Sequence, residues 1–186
     1  MNNPQRIILH HSLTADGEEL SSFEAIKRYH IEHNSWADIG YHFLLEYVDG
    51  KLVWEEGRDI LTHGAHCIDQ NYTSIGICIV GNFDKDFLTD EHIQMILQKQ
   101  TELEILLDRK LPIKFHRDYA EYKTCPGTNI TYELFKQPEK DTSVSQWAVE
   151  ARGHMMYLGV TDGSRPKEAV TREEVWTMLF RLTQAL

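Results

Sequence analysis

No stretch of this chain approaches the roughly 20 consecutive apolar residues that a membrane-spanning helix needs, so no membrane partner is expected. Cysteine is scarce. The three residues present, Cys67, Cys78 and Cys125, fit a reducing origin better than a disulfide framework, and a Cys67–Cys78 bridge is not expected. Basic residues are outnumbered 19 to 29 by acidic ones, leaving a formal net charge of −10. That balance argues against nucleic acid, whose phosphates demand clustered Lys and Arg. Six basic and seven acidic residues follow Gln137, so nearly all of the charge lies before it. The first residues, Met1 to Arg6, lack the basic start, apolar stretch and small-residue cleavage site of a secretory signal. Synthesis in a cytoplasm, followed by release or pore-mediated export, is the expectation. What remains is ordinary globular composition, 41% hydrophobic and 26% charged. A length of 186 residues allows one well-buried domain and a small appendage.

Hydrophobic periodicity sets out the elements. Arg6-Ile7-Ile8-Leu9 reads as a buried strand running into His10-His11-Ser12. Ser21-Ser22-Phe23-Glu24 has the form of a capping box before a helix to about His33, with Phe23, Ile26, Tyr29 and His30 on its packed face. His42 to Val48, Asp49-Gly50 and Lys51 to Trp54 form a hairpin, because Asp-Gly tolerates the positive φ angles of a tight turn. Ser74 to Val80 is a mid-sheet strand. A helix over Asp90 to Asp108, capped by Thr89 or Asp90, carries the stripe Ile93, Ile96, Leu97, Gln100, Leu103 and Leu107. Leu111 to Phe115 is a further strand. Alternating strands and helices give an α/β fold, a central mixed β-sheet flanked by helices.

The residues with metal chemistry lie at strand ends. His116 follows one strand, and a polar loop returns to Cys125 before Pro126-Gly127 turns the chain away. Histidine and cysteine are ligand types that zinc favours, and a catalytic zinc takes three protein ligands while leaving a position open. The third ligand comes from His10 or His11, which alternation sends to opposite faces. Spacing alone does not choose between them.

These blocks together resemble the zinc-dependent N-acetylmuramoyl-L-alanine amidases, a family that includes phage lysozyme-type enzymes and the peptidoglycan recognition proteins. The likeness rests on His10-His11-Ser12, Trp36 to Phe43, Asp49-Gly50, Glu56-Gly57-Arg58, Gly64-Ala65-His66, Asn71 with Ser74 to Ile77, Val80 to Phe83, and His116-Arg117-Asp118 to Cys125-Pro126-Gly127, in that order. It covers roughly residues 5 to 135. The resemblance implies His10, His116 and Cys125 as ligands of a zinc ion (Zn²⁺). It assigns Lys123 to stabilising an oxyanion, although a lone loop lysine is ordinarily a solvated charge. It places Tyr41 beside the metal, where the hydroxyl would orient water or donate to the oxyanion, against the commoner fate of an aromatic packed on a sheet. Trp36, His63, His66 and Asn71 are expected to line a substrate groove, His66 being equally readable as a structural histidine. Glu46 and Glu121 are the candidates for a general base, each more readily read as a solvated charge. The implied reaction is hydrolysis of the amide between N-acetylmuramic acid and L-alanine in bacterial peptidoglycan, by a phage or prophage endolysin. A non-catalytic peptidoglycan receptor on the same fold is the alternative, and such receptors typically lose the cysteine ligand.

Domain limits follow from composition. Residues 1–137 form the expected zinc amidase domain, 138–145 a polar linker, and 146–186 a helix-loop-helix segment. In that segment Trp147 to Tyr157 and a helix opened by the capping box Thr171-Arg172-Glu173-Glu174 flank a loop with Gly163 and Pro166. Gly159 to Gly163, Arg165-Pro166 and Thr171 to Glu173 resemble a single S-layer-homology repeat. So short a segment buries little, so a secondary cell-wall polymer or a second copy, giving a homo-oligomer, is its expected partner.

Overall fold

The computed structural model describes residues 2–14, 22–136, 144–164 and 167–185. The chain divides into two units, Met1–Lys136 and Gln137–Leu186. The first is built on five strands, β1 (Arg6–His11), β2 (Phe43–Val48), β3 (Lys51–Glu56), β4 (Ser74–Ile79) and β5 (Ile113–Phe115), in the order β3-β2-β4-β1-β5. Among the described strands only the β2–β3 pair is antiparallel. Its turn holds Asp49 and Gly50 at φ 51° and 74°, the left-handed geometry that an Asp-Gly pair accepts at small cost.

The two faces of the sheet are covered separately, which explains the near-continuous apolar runs of β1 and β4. On one face Ile7, Leu9, Leu45, Ile75, Ile77 and Phe115 form the main core with Ile96 and Leu103 of α2 (Asp90–Leu107). On the other, Ile39, Leu44, Cys78 and Val80 meet Phe23 and Ile26 of α1 (Phe23–Glu32). Thr89 caps α2 by accepting from the His92 amide, and His92 takes the reciprocal position in the capping box. Gln100, the polar member of the stripe, donates to the Leu111 carbonyl at 2.9 Å.

Two expectations for α1 need correcting. Ser22 is the observed N-cap, accepting from Ala25 N–H, and Ser21 lies outside the described residues. Tyr29 does not pack on the sheet: it is 55% exposed and stacks on His33, while Ala25 and His30 are the buried positions. The 3- and 4-residue spacing defines a stripe wider than the contact, and the contact falls along its Ala25 edge.

In the second unit, Val149–Tyr157 forms α3 and Arg172–Ala185 forms α4. Thr171 and Glu174 exchange the two hydrogen bonds of a capping box. Val160 is the only hydrophobic side chain buried among the described residues of this unit. Of the expected linker at 138–145, residues 138–143 lie outside the described residues, as do Arg165-Pro166. No helix among the described residues is long and apolar enough to cross a membrane.

Candidate metal centre

Sheet register assembles the site. Leu9 pairs with Phe115 across parallel β1 and β5, so the next residue on each strand, His10 and His116, emerges beside the other. Their rings lie 4.4 Å apart. Both stand at carboxyl ends of parallel strands, the edge where open α/β sheets place their ligands. Alternation then separates the adjacent histidines. His10 faces Tyr41, its ring centroid 5.2 Å away, whereas His11 Nδ1 accepts from the Phe83 amide on the other side.

Cys125 completes the group from a loop that Arg117 clamps. The Arg117 amide donates to the Cys125 carbonyl at 2.8 Å, and its guanidinium donates to the carbonyls of Thr124, Gly127 and Ile130. The same guanidinium sits 4.5 Å over the Phe115 ring. One side chain therefore ties the loop to the end of β5. Gly127, at φ 121°, lies so close to Phe83 that a Cβ would come within 2.5 Å of its backbone, so no other residue fits there.

His10, His116 and Cys125 present ligand atoms all within 4.8 Å of one another. Cys125 Sγ is 3.7 Å from His10 Nδ1, close to the ~3.5 Å that a nitrogen and a sulfur subtend across a tetrahedral zinc. Electrostatics keep the imidazoles neutral, as ligands must be. Burial lowers His10 well below its usual value, helped by His66, His116 and Lys123. Burial and then Lys123 bring His116 to about 4. The Cys125 thiol is pushed up to about 11 by burial, against the His11 amide, Lys123 and Arg117. A cation bound there would have to displace the thiol proton. This donor set fits zinc, and the three cysteines are free.

A cavity of about 480 Å³ opens over the group, within the usual range for ligand sites. Trp36, Tyr41, His66 and Lys123 line it, as do Leu13, Tyr122 and Thr124, which sequence reasoning passed over. Burial and the neighbouring Cys78 and Cys125 raise the Tyr41 hydroxyl well above its ordinary value, so it stays protonated. His63 and Asn71 stand apart from this cavity's lining. His63 is exposed and stacks on Tyr72 at 4.6 Å. Asn71 Oδ1 accepts from the His66 and Cys67 amides.

Glu46 is not solvated. It is 5% exposed, and its carboxylate accepts from the Phe23 amide at the start of α1. Chain alternation hid this, because a glutamate inside an apolar strand carries no local sign of the helix terminus it will meet. Glu121 is exposed, and among the described residues no carboxylate lines the cavity. Arg117 was legible only as the charged residue next to His116; its bonds to three carbonyls had no signal in the sequence.

A parallel-centred sheet with helices on both faces brings two histidines at strand ends and a loop cysteine together under a cleft, the arrangement of an α/β domain with a group that could hold a metal ion. The sequence profile described as N-acetylmuramoyl-L-alanine amidase matches residues 1–128. The chain belongs to that family. It is 38% identical to the endolysin of Escherichia phage T7 over 128 residues, covering 67% of this chain and 81% of that one. It is 33% identical to peptidoglycan-recognition protein SC2 of Drosophila melanogaster over 118 residues, 62% of this chain and 61% of that one. Among solved structures, the N-acetylmuramoyl-L-alanine amidase LysC from Clostridium intestinale URNW superposes with a TM-score of 0.61 at 26% identity, covering 73% of this chain and 84% of that chain.

Proposed function

We propose that the protein is a zinc-dependent N-acetylmuramoyl-L-alanine amidase that cuts peptidoglycan between N-acetylmuramic acid and L-alanine, and that it serves as a phage or prophage endolysin. The convergence of His10, His116 and Cys125 within 4.8 Å carries the reading. These residues would hold the ion, and when bound it supplies a Lewis acid that activates water near neutral pH. Lys123, on the cavity wall and felt electrostatically by both histidines, offers its ammonium to the developing oxyanion. Tyr41 keeps its proton and donates a hydrogen bond at the same place. Trp36 and His66 wall the cleft. Among the described residues of the cavity wall, Tyr41 and Lys123 are the groups placed to donate or hold a proton beside the ion.

The alternative, a receptor that binds muropeptide without cutting it, draws on the similarity to a peptidoglycan-recognition protein. The complete His-His-Cys group and Tyr41 favour the enzyme. Residues 146–186 are proposed as a segment that docks on a wall polymer or on a second copy.

Cys125→Ala tests the reading. Zinc content should fall from near one per chain to background, and release of peptide from defined muropeptides should cease while wall binding persists. Undiminished cleavage by Cys125→Ala, or absence of zinc from carefully purified wild-type protein, would refute it.

A further inference from the structure

His66 is a buried histidine of the cleft wall to which the catalytic steps above assign no chemistry. It is 9% exposed, and its Nδ1 lies 3.0 Å from Nε2 of His10. Its Nε2 is sealed from solvent and has no hydrogen-bond partner among the described residues. The ring is held from both sides. A Cβ on Gly64 would fall 2.4 Å from its Cδ2 and one on Gly76 would fall 2.5 Å away, so both glycines leave room for this imidazole. Asn71 Oδ1 fixes the His66 backbone by accepting its amide at 2.8 Å.

We propose that His66 is a positioning residue that fixes the tautomer and the ring orientation of His10. His10 presents Nδ1 to Cys125 and to the ion, so its proton must sit on Nε2. His66 Nδ1 is the acceptor of that proton, and the His66 proton is thereby driven to Nε2. Leaving a buried N–H unmatched costs free energy, and an apolar ring of the same shape would avoid that cost. A histidine is required here for the acceptor on its other nitrogen. Metal-ligating imidazoles commonly donate their second N–H to a carboxylate or carbonyl; in this fold a neutral imidazole fills the role. The inference rests on the zinc reading.

Two substitutions separate hydrogen bonding from packing. His66→Phe keeps the ring volume and loses the acceptor; His66→Asn loses volume and keeps an acceptor at nearly the same position as Nδ1. Zinc dissociation constants, measured by chelator competition on the full chain, should weaken about 10- to 100-fold in His66→Phe and recover most of that loss in His66→Asn. The absorption bands of the cobalt-substituted protein should move in His66→Phe and return in His66→Asn. A purely structural role gives the opposite order, with His66→Asn the worse of the two, and that order would overturn the inference. Independently of any variant, nitrogen-15 spectra of the zinc-loaded wild-type protein should place protons on Nε2 of both His10 and His66. A His66 proton on Nδ1 would sink the inference while leaving the zinc reading intact, whereas failure of the wild-type chain to bind zinc would sink both.

Discussion

The two units differ in their aromatic residues: the first buries some while exposing others such as Phe87 and Tyr122, whereas among its described residues the second buries none. In the first, Phe43, Phe83 and Phe115 are buried, and Phe115 is fully enclosed between the sheet and its surroundings. In the second, Trp147 is 87% exposed, Tyr157 86%, Phe180 66% and Trp176 63%. Burial of apolar surface is the main force holding a fold, at about 25 cal/mol per Å². The first unit therefore carries its own stability, and the second, with Val160 as its lone buried hydrophobic side chain among described residues, does not. The difference teaches that helical periodicity alone does not announce a core: Val175, Met178, Leu179 and Leu182 stripe α4 as cleanly as Ile96 and Leu103 stripe α2, yet nothing on α4 is buried.

The contrast can be broken most forcefully at its strongest point. Phe115→Ala should cost the first unit about 3–5 kcal/mol in chemical denaturation, since it empties a fully buried site under β5. A loss below 1 kcal/mol would mean that the core is looser than its burial indicates.

Acid gives the next largest effect. His42 is fully buried, its Nδ1 accepting from Gly76 and its Nε2 facing the Thr62 carbonyl, and burial brings it down to about 4 from 6.5. Its folded value lies below its unfolded value, so the unfolded chain binds the extra proton. Stability from this group is complete above pH 6.5 and is lost as the pH falls towards 4, by ~2–3 kcal/mol. Burial also lowers His30 and His92, which act in the same direction. Urea unfolding at pH 7 and pH 4 measures the sum.

Arg117→Ala should destabilise the first unit by about 2 kcal/mol, because a half-buried cation leaves three loop carbonyls unmatched. It should also weaken zinc binding by loosening the Cys125 loop, which chelator competition reads directly. Against these, Trp176→Ala should change unfolding by no more than about 0.5 kcal/mol. Its effect should fall instead on adsorption to intact cell walls or on the self-association measured by sedimentation. A large loss of stability from Trp176→Ala would erase the contrast between the units.

Much of the first unit was legible beforehand, for stated reasons. A strand written Ile-Ile-Leu, an Asp-Gly turn and a helical stripe after a threonine cap are local signals, and β1, the β2–β3 hairpin, β4 and α2 follow them closely. Tyr29 and Glu46 went the other way because their environments come from segments distant in sequence: α1 lies on the sheet along its Ala25 edge, and Glu46 meets an α1 amide 23 residues away.

By itself the sequence determined which elements form and which residue types carry the chemistry, since propensity, alternation and ligand identity are properties of short windows. Only the tertiary structure decided that Phe115 pairs with Leu9, which brings His116 beside His10, that Arg117 ties the Cys125 loop to β5, and that His66 rests against His10. Those contacts join residues as far apart in sequence as Leu9 and Phe115. Strand register and loop closure, which no local pattern encodes, are what set them.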